Sequence, residues 1–304
     1  MPVCSNRKTA GLVMCEPREL YNILNQSTKF SRLAESNYLC LLDARTKREY
    51  NESHVVTAKF GNKDEKGEFL LPKGVELECM KYCIVYDSNT DSLLDETVPA
   101  IQCAQVLEEV SRLPIRILMG GYERFSALYH FFRTQKVLWM PREIDDFQPY
   151  PLEILTVGLY LGDIRQANEP HIQKDLKIKA QVNVTEVPGK IYPPGACHTF
   201  QIPVSDSCEA DIFSFFPDVC SFIDTHLSPN FSVLIYSGLG ISRSCSVVIA
   251  YLMHQQKKTL QEAWDHVLKC KPNMRPNRGF VQQLSRWEEV VHGSVITNIS
   301  DPLF

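Results

Sequence analysis

Paired cysteines, long apolar runs and an excess of charge of one sign are all scarce in this 304-residue sequence. Its eleven cysteines are scattered, odd in number and contain no Cys-x-x-Cys pair, which removes the usual zinc spacing and argues against a disulfide framework. They read as reduced thiols of a cytoplasmic or similarly reducing compartment. Cys79 and Cys83, the closest pair, are expected in the core at the start and middle of a strand. No apolar run reaches the roughly 18 residues of a membrane span, and the N-terminus lacks the apolar segment of a secretory signal. Arg7 and Lys8, with hydroxyls around them and no acid before Glu16, point faintly to a mitochondrial presequence. Arginine is sparse there, and an ordinary frayed terminus is the expectation. With 32 Lys+Arg against 36 Asp+Glu the net charge is −4, so no broad field recruits nucleic acid or an anionic membrane, and any basic site must be local. No clustered His/Asp/Glu motif of the two-metal kind occurs, so neither metal nor cofactor is expected.

What is present is the composition of a soluble globular protein, 44% hydrophobic and 22% charged, with length for two domains. The passage "TQKVLWMPREIDDFQPYPLEI" carries Pro141, Pro149 and Pro151, which interrupt a helix and forbid a central strand. It reads as a linker over 134–153, between a first domain at 1–133 and a second at 154–292, with a tail at 293–304. In the first half, "YLCLLDAR" (38–45), "KYCIVYD" (81–87) and "IRILMGG" (115–121) are short apolar runs, too brief for stable helices. Helical rhythm fills 91–110 and 123–132, and this alternation predicts a parallel sheet covered on both faces. In the second half, strands are expected at 157–162, 178–185, 197–204 and 231–237, and helices at 211–227, 244–256, 260–269 and 278–291. Both halves are therefore of the α/β class.

The stretch "LIYSGLGISRSCS" (234–246) is a strand that empties into a small-residue loop and then a helix. Backbone N–H groups and the positive end of the helix converge at such a loop, which makes it an anion site. Gly238 and Gly240 permit the tight turn, Arg243 offers a planar fork for two oxygens, and Ser242 and Ser244 supply hydroxyls.

Together with "TLQEAWDHVLKCKPNMRPNRGFVQQLSRWE" and "IPVSDSCEADIFSFF", this stretch resembles the dual-specificity phosphatase domain across roughly 150–292. That family reads His-Cys, five residues, Arg-Ser at the loop. The resemblance puts Tyr236 on the histidine, Ser237 on the cysteine, Gly240 on the loop glycine and Arg243 on the phosphate-binding arginine, so that Ser237, Gly238, Leu239, Gly240, Ile241, Ser242 and Arg243 form the phosphate cradle. Leu239 stands where relatives commonly have a smaller residue and is expected to crowd it. The family's nucleophile is a thiolate, with a pKa drawn down from about 8.5 into the range of about 3.5–7.5 by such a loop. A serine hydroxyl cannot follow without a general base, and neither Tyr236 nor Gly238 is one. Asp206 matches the aspartate that protonates the leaving group; the plainer reading makes it a cap for the helix beginning near Asp211. Ser237 likewise has a plainer reading, a small polar residue that keeps the loop folded.

The first half, through "LLDARTKREYNESHVVTAKF" and "ILMGGYERF", resembles the rhodanese-like domain that precedes the catalytic domain in MAP-kinase phosphatases. A sulfurtransferase would need a cysteine on the loop after "KYCIVYD", where Asp87 stands instead. Kinase docking in that family uses an arginine cluster. The corresponding "GNKDEKGEFLLPKG" mixes lysines with acids, so docking is not predicted, and Arg45, Lys47 and Arg48 read as a solvated helix start. His54 is expected to fix a turn, and Trp264 and Val267 to pack in the core.

The resemblance implies a catalytically inactive phosphatase-like protein that binds phosphorylated proteins or regulates an active phosphatase. The alternatives are a weak phosphatase using a non-cysteine mechanism and a scaffold acting through the rhodanese-like half.

Overall fold

Brief apolar runs closed by polar residues become parallel strands in both halves of the chain. The computed structural model describes residues 11–28, 30–137, 147–156, 158–190, 196–228, 231–300 and 304, and the chain divides into two compact units, Met1–Gln148 and Pro149–Phe304. Arg7 and Lys8, residues 138–146 of the expected linker, and 301–303 of the expected tail lie outside the described residues.

In the first unit, β1 (Leu12–Cys15), β2 (Leu39–Asp43), β4 (Lys59–Phe60), β5 (Tyr82–Tyr86) and β6 (Ile115–Leu118) form one sheet in the order β1-β6-β5-β2-β4. Every pairing in it is parallel. Cys40, Leu42, Cys83, Val85, Ile115 and Ile117 pack on Ala100, Ile101, Ala104 and Leu107 of α3 (Pro99–Glu108). The alternate residues Leu41, Ile84 and Leu118 are equally buried, on the face where α1 (Pro17–Asn25) meets α4 (Gly121–Leu128). Burial of both faces is why these strands read as continuous apolar runs. A two-residue antiparallel pair, β3 (His54–Val55) with β7 (Arg133–Thr134), sits apart from the sheet.

Three expectations for this half meet definite outcomes. His54 fixes its turn: Nδ1 lies 2.9 Å from the Tyr50 carbonyl and Nε2 3.3 Å from that of Lys136. Cys83 is buried, but Cys79 is exposed, because it ends a short 3-10 turn before β5 rather than opening the strand. Arg45 is not part of a solvated helix start. Its side chain is 6% exposed, forks onto Asp43 at 2.7–3.2 Å, donates to the Ser53 carbonyl and lies 3.8 Å from the Tyr122 ring centroid. Lys47 and Arg48, at the start of α2 (Lys47–Glu52), are exposed.

The second unit carries β8 (Leu152–Leu155), β9 (Leu159–Asp163), β10 (Ile178–Asn183), β11 (His198–Gln201) and β12 (Ser232–Ser237) in the order β11-β10-β12-β9-β8. All neighbours are parallel except the β8–β9 pair. Leu152–Leu155, which straddles the expected boundary between the linker at 134–153 and the second domain, is thus an edge strand just beyond Pro149 and Pro151. Two short helices, α5 (Ile164–Asn168) and α6 (Pro170–Asp175), follow β9. The apolar helix α8 (Arg243–Gln256) is buried continuously from Ser244 to Met253, with α7 (Phe216–His226), α9 (Leu260–Cys270) and α10 (Arg278–His292) packed around it. A helix apolar all round requires such a sheath. Trp264 and Val267 face the same core. The helix expected from 211 opens instead as a 3-10 turn, Phe213–Phe215, whose start is capped by Asp211: the Ser214 N–H donates to its Oδ1 at 3.2 Å. Among the described residues no helix is long and apolar enough to cross a membrane.

Candidate anion-binding site

Strand β12 lies between β10 and β9, and its last residues, Tyr236 and Ser237, pair with Gly162 and Asp163 of β9. The chain turns there through residues 238–242 and enters α8 at Arg243. Gly240 makes the turn possible: its φ is +68°, and a Cβ would stand 2.6 Å from the Gly162 carbonyl oxygen. The loop therefore closes against the neighbouring strand.

That closure leaves an arc of donors. Among the described residues, no protein acceptor takes the backbone N–H groups of Gly238, Leu239, Gly240, Ile241, Ser242, Arg243 or Ser244. Backbone donors inside folded proteins are nearly always paired. An uninterrupted arc of unpaired ones at the start of a 14-residue helix is a concentration of positive potential suited to an anion. Leu239 does not crowd this arc; it is 75% exposed, because its side chain leaves the loop toward solvent.

Arg243 lies against the same loop. Its Nη1 donates to the Val204 carbonyl at 3.0 Å, and Nη2 is 3.3 Å from where a Cβ on Gly238 would stand, so the missing side chain there gives the guanidinium its room. Its Nε is buried and has no hydrogen-bond partner among the described residues, 3.9 Å from Asp206 Oδ2. Asp206 itself is fixed on its other oxygen. Ser242 Oγ donates to Oδ1 at 2.6 Å and Asn277 Nδ2 donates to the same atom at 2.9 Å, while the Asn277 N–H reaches Ser242 Oγ at 3.3 Å. Asp206 thus does not cap the following turn; it ties its loop to the anion loop. Asn277 escaped the sequence reading because its visible role is local, capping α10 through a bond from the Phe280 N–H.

At the floor of the arc, Ser237 is 2% exposed and its Oγ is hydrogen-bonded to Ser244 Oγ at 2.9 Å. No carboxylate, imidazole or amine is within hydrogen-bonding distance of that oxygen among the described residues. Tyr236 is buried beside it, its hydroxyl 3.0 Å from the position of a Cβ on Gly189. Cys245, two residues into α8, does not replace the missing thiolate. Burial pushes its pKa up to about 12, with Lys271 opposing and Asp206 adding, and its Sγ donates to the Gly240 carbonyl at 3.4 Å. The arrangement can bind and orient an oxyanion. Among the described residues it offers Ser237 Oγ a hydroxyl as its hydrogen-bond partner rather than a base.

Asp87, after β5 in the first unit, is engaged within its own loop. Its carboxylate accepts the N–H groups of Asn89, Thr90 and Ala100 at 3.0–3.2 Å and the Thr90 hydroxyl at 2.6 Å. It is 5% exposed and bears no sulfur.

Comparison with known proteins bears on the second unit most directly. Residues 159–290 match the family model for the dual specificity phosphatase catalytic domain. Human dual specificity protein phosphatase 9 is 38% identical over 140 residues, covering 46% of this chain and 36% of that protein. Dual specificity protein phosphatase 4 of Gallus gallus is 30% identical over 229 residues, covering 68% and 60%. Among solved structures, the human tyrosine phosphatase-like serine/threonine/tyrosine-interacting protein is similar at 27% identity and a TM-score of 0.42, covering 45% of this chain and 95% of that one. The chain spans 36% to 60% of the length of these two curated relatives. Residues 159–290 thus form a domain of the dual specificity phosphatase catalytic type.

Proposed function

We propose that this chain is a pseudophosphatase of the serine/threonine/tyrosine-interacting type, whose anion loop, Ser237–Arg243, holds a phosphoryl group without cleaving it. Through that hold it binds phosphorylated proteins or regulates active phosphatases in a signalling pathway. The first unit is a rhodanese-like domain over 1–133, the second the phosphatase-like domain over 154–292, and the ten free cysteines among the described residues accord with a reducing, cytoplasmic setting. One observation carries the reading: seven unpaired N–H groups surround a hydroxyl whose hydrogen-bond partner is another hydroxyl, Ser244. Binding needs the arc and Arg243; attack would need a nucleophile that ionises near neutral pH. Sulfur transfer is not proposed, since the position that would carry the sulfur is a carboxylate.

The test is a titration of a phosphotyrosine peptide against the full chain and its Arg243→Ala variant, alongside an aryl-phosphate turnover assay. Saturable binding is expected, weakened at least about tenfold by the substitution, as loss of a charge-assisted fork implies. Turnover is expected to be absent. Binding that ignores Arg243→Ala would remove the loop from the account, and turnover abolished by Ser237→Ala would turn the protein into an enzyme.

A further inference from the structure

The first unit contains a cavity of about 590 Å³, walled by residues from the loops after β2, β4 and β5 and from the start of α3. Adjacent strands β2 and β5 send their connections opposite ways, β2 through α2 to β4 at one edge and β5 through α3 to β6 on the other side. The cavity therefore opens at the switch point of the parallel sheet, beyond the carboxyl ends of its strands, where ligands of such sheets bind. Its volume is that of a small-molecule pocket. Ala44, Phe60, Val98 and Pro99 give it apolar wall.

The charged groups around it fall into two sets. Arg45 is forked onto Asp43, Asp87 is saturated by four donors, and Glu49 accepts from the Thr46 N–H and hydroxyl and from Ser88 Oγ. Lys47 and Lys63 make no ion pair among the described residues. Each ammonium rests on a ring, Lys47 at 4.4 Å from the Phe60 centroid and Lys63 at 4.3 Å from that of Phe69, which fixes the charges at the rim without neutralising them. Among the described residues, the side-chain amides of Asn62 and Asn89 likewise make no hydrogen bond. What the cavity offers a ligand is an apolar wall, two amides and two ammonium charges without an ion pair among the described residues, one at the start of α2 and one from the loop after β4.

We infer that this cavity is a non-covalent site for a small phosphomonoester, its dianionic group between Lys47 and Lys63 and its organic body against Phe60, Val98 and Pro99. A phosphate near pH 7 carries ≈ −1.5 to −2 charge, which two lysine point charges match. The site is separate from the loop after β12, so it is tested in the full chain carrying Arg243→Ala. Phenyl phosphate and a phosphotyrosine peptide are titrated by ligand-detected nuclear magnetic resonance, with benzyl alcohol as the uncharged comparison. Phenyl phosphate is expected to saturate, and Lys47→Gln with Lys63→Gln, both exposed positions, to weaken it at least about tenfold. Peptide binding that needs the same lysines would identify a modified protein as the source of the phosphoryl group. No saturation by either up to about 10 mM, equal binding of benzyl alcohol, or indifference to the lysine substitutions would each overturn the inference.

Discussion

If the loop after β12 is preorganised for an anion, a thiol placed on it should ionise. Ser237→Cys, made with Tyr236 untouched, is expected to have a pKa near 6 instead of the usual value near 8.5. A shift of about 2.5 units corresponds to about 3.4 kcal/mol in favour of the thiolate. The Ser244 hydroxyl, 2.9 Å from Ser237 Oγ, becomes a donor to a charged acceptor, worth about 1.5–3 kcal/mol. The amino end of α8 adds about 0.3–1 kcal/mol, and up to about 2 in a buried geometry. The unpaired N–H groups must then offset the cost of burying the charge at a position 2% exposed. At pH 7 the thiolate fraction would rise from about 3% to about 90%. The assay is the pH dependence of iodoacetamide labelling, resolved by mass spectrometry at position 237. Cys245 provides the contrast, because its burial in the same loop–helix unit pushes its pKa up to about 12. Adding Ser244→Ala should raise the midpoint by about 1–2 units. A midpoint at or above about 8.5 in the single variant would refute the claim that the arc is an anion site.

Other consequences follow from the packing. Glu288 is 0% exposed; burial raises its pKa, but the N–H and hydroxyl of Thr297 and the N–H groups of Leu260 and Ile296 outweigh burial and hold it below the usual carboxylate range. Its contribution is therefore complete above the unfolded value near 4.3 and lost as pH falls through the lower folded value. Denaturant melts should lose stability in that acid window, and Glu288→Ala should cost about 3 kcal/mol at pH 7 and less in acid. Thr57 is a β-branched residue at φ +69° with a buried, unpartnered hydroxyl, so Thr57→Gly should stabilise the first unit by about 1 kcal/mol in a thermal melt; a lower melting temperature would contradict the strain. A Cβ on Gly279 would stand 2.1 Å from the Cys208 carbonyl oxygen, so Gly279→Ala should push away the loop that carries Asp206, seen as a chemical-shift change at Asp206 and Ser242. Unperturbed shifts there would mean that the two loops are not tied.

Much of the architecture was legible because buried parallel strands and amphipathic helices write their environment into local sequence. β2, β5 and β6 stand out as apolar runs, and α9 and α10 as periodic ones. Nothing local marks β1 or β8 in the same way. Each has four residues at an edge of its sheet, and Leu152–Leu155 follows two prolines directly. Their strand character comes from pairing with β6 and β9, a non-local cause. The anion loop was legible as strand, small residues and helix, but its surroundings were not. Ser242 meets Asp206 across 36 positions, and Asn277 meets Asp206 across 71. Arg243 is anchored by the carbonyl of Val204, and a carbonyl carries no side-chain signature. The exposure of Leu239 was hidden for a related reason, since the direction of one side chain on a turn depends on backbone angles that residue type leaves open.

The two units answer the same physical problem in opposite ways. A strand ending in a tight loop before a helix leaves backbone donors facing inward, and they need an acceptor. After β5 the chain supplies its own: Asp87 takes two loop N–H groups, a hydroxyl and the N–H of Ala100 in the first turn of α3. After β12 the carboxylate of Asp206 is engaged by Ser242 and Asn277, and among the described residues the N–H groups from Gly238 to Ser244 stay unpaired. In the first unit Asp87 is thereby fully engaged, and the cavity proposed to hold a ligand between Lys47 and Lys63 lies beside it. The second unit's loop lacks such an acceptor among the described residues, and Ser237 Oγ beside it is hydrogen-bonded to another hydroxyl, Ser244 Oγ. On the reading proposed above, the same few residues would hold an external anion and lack an ionisable nucleophile, which is why Ser237→Cys probes both at once.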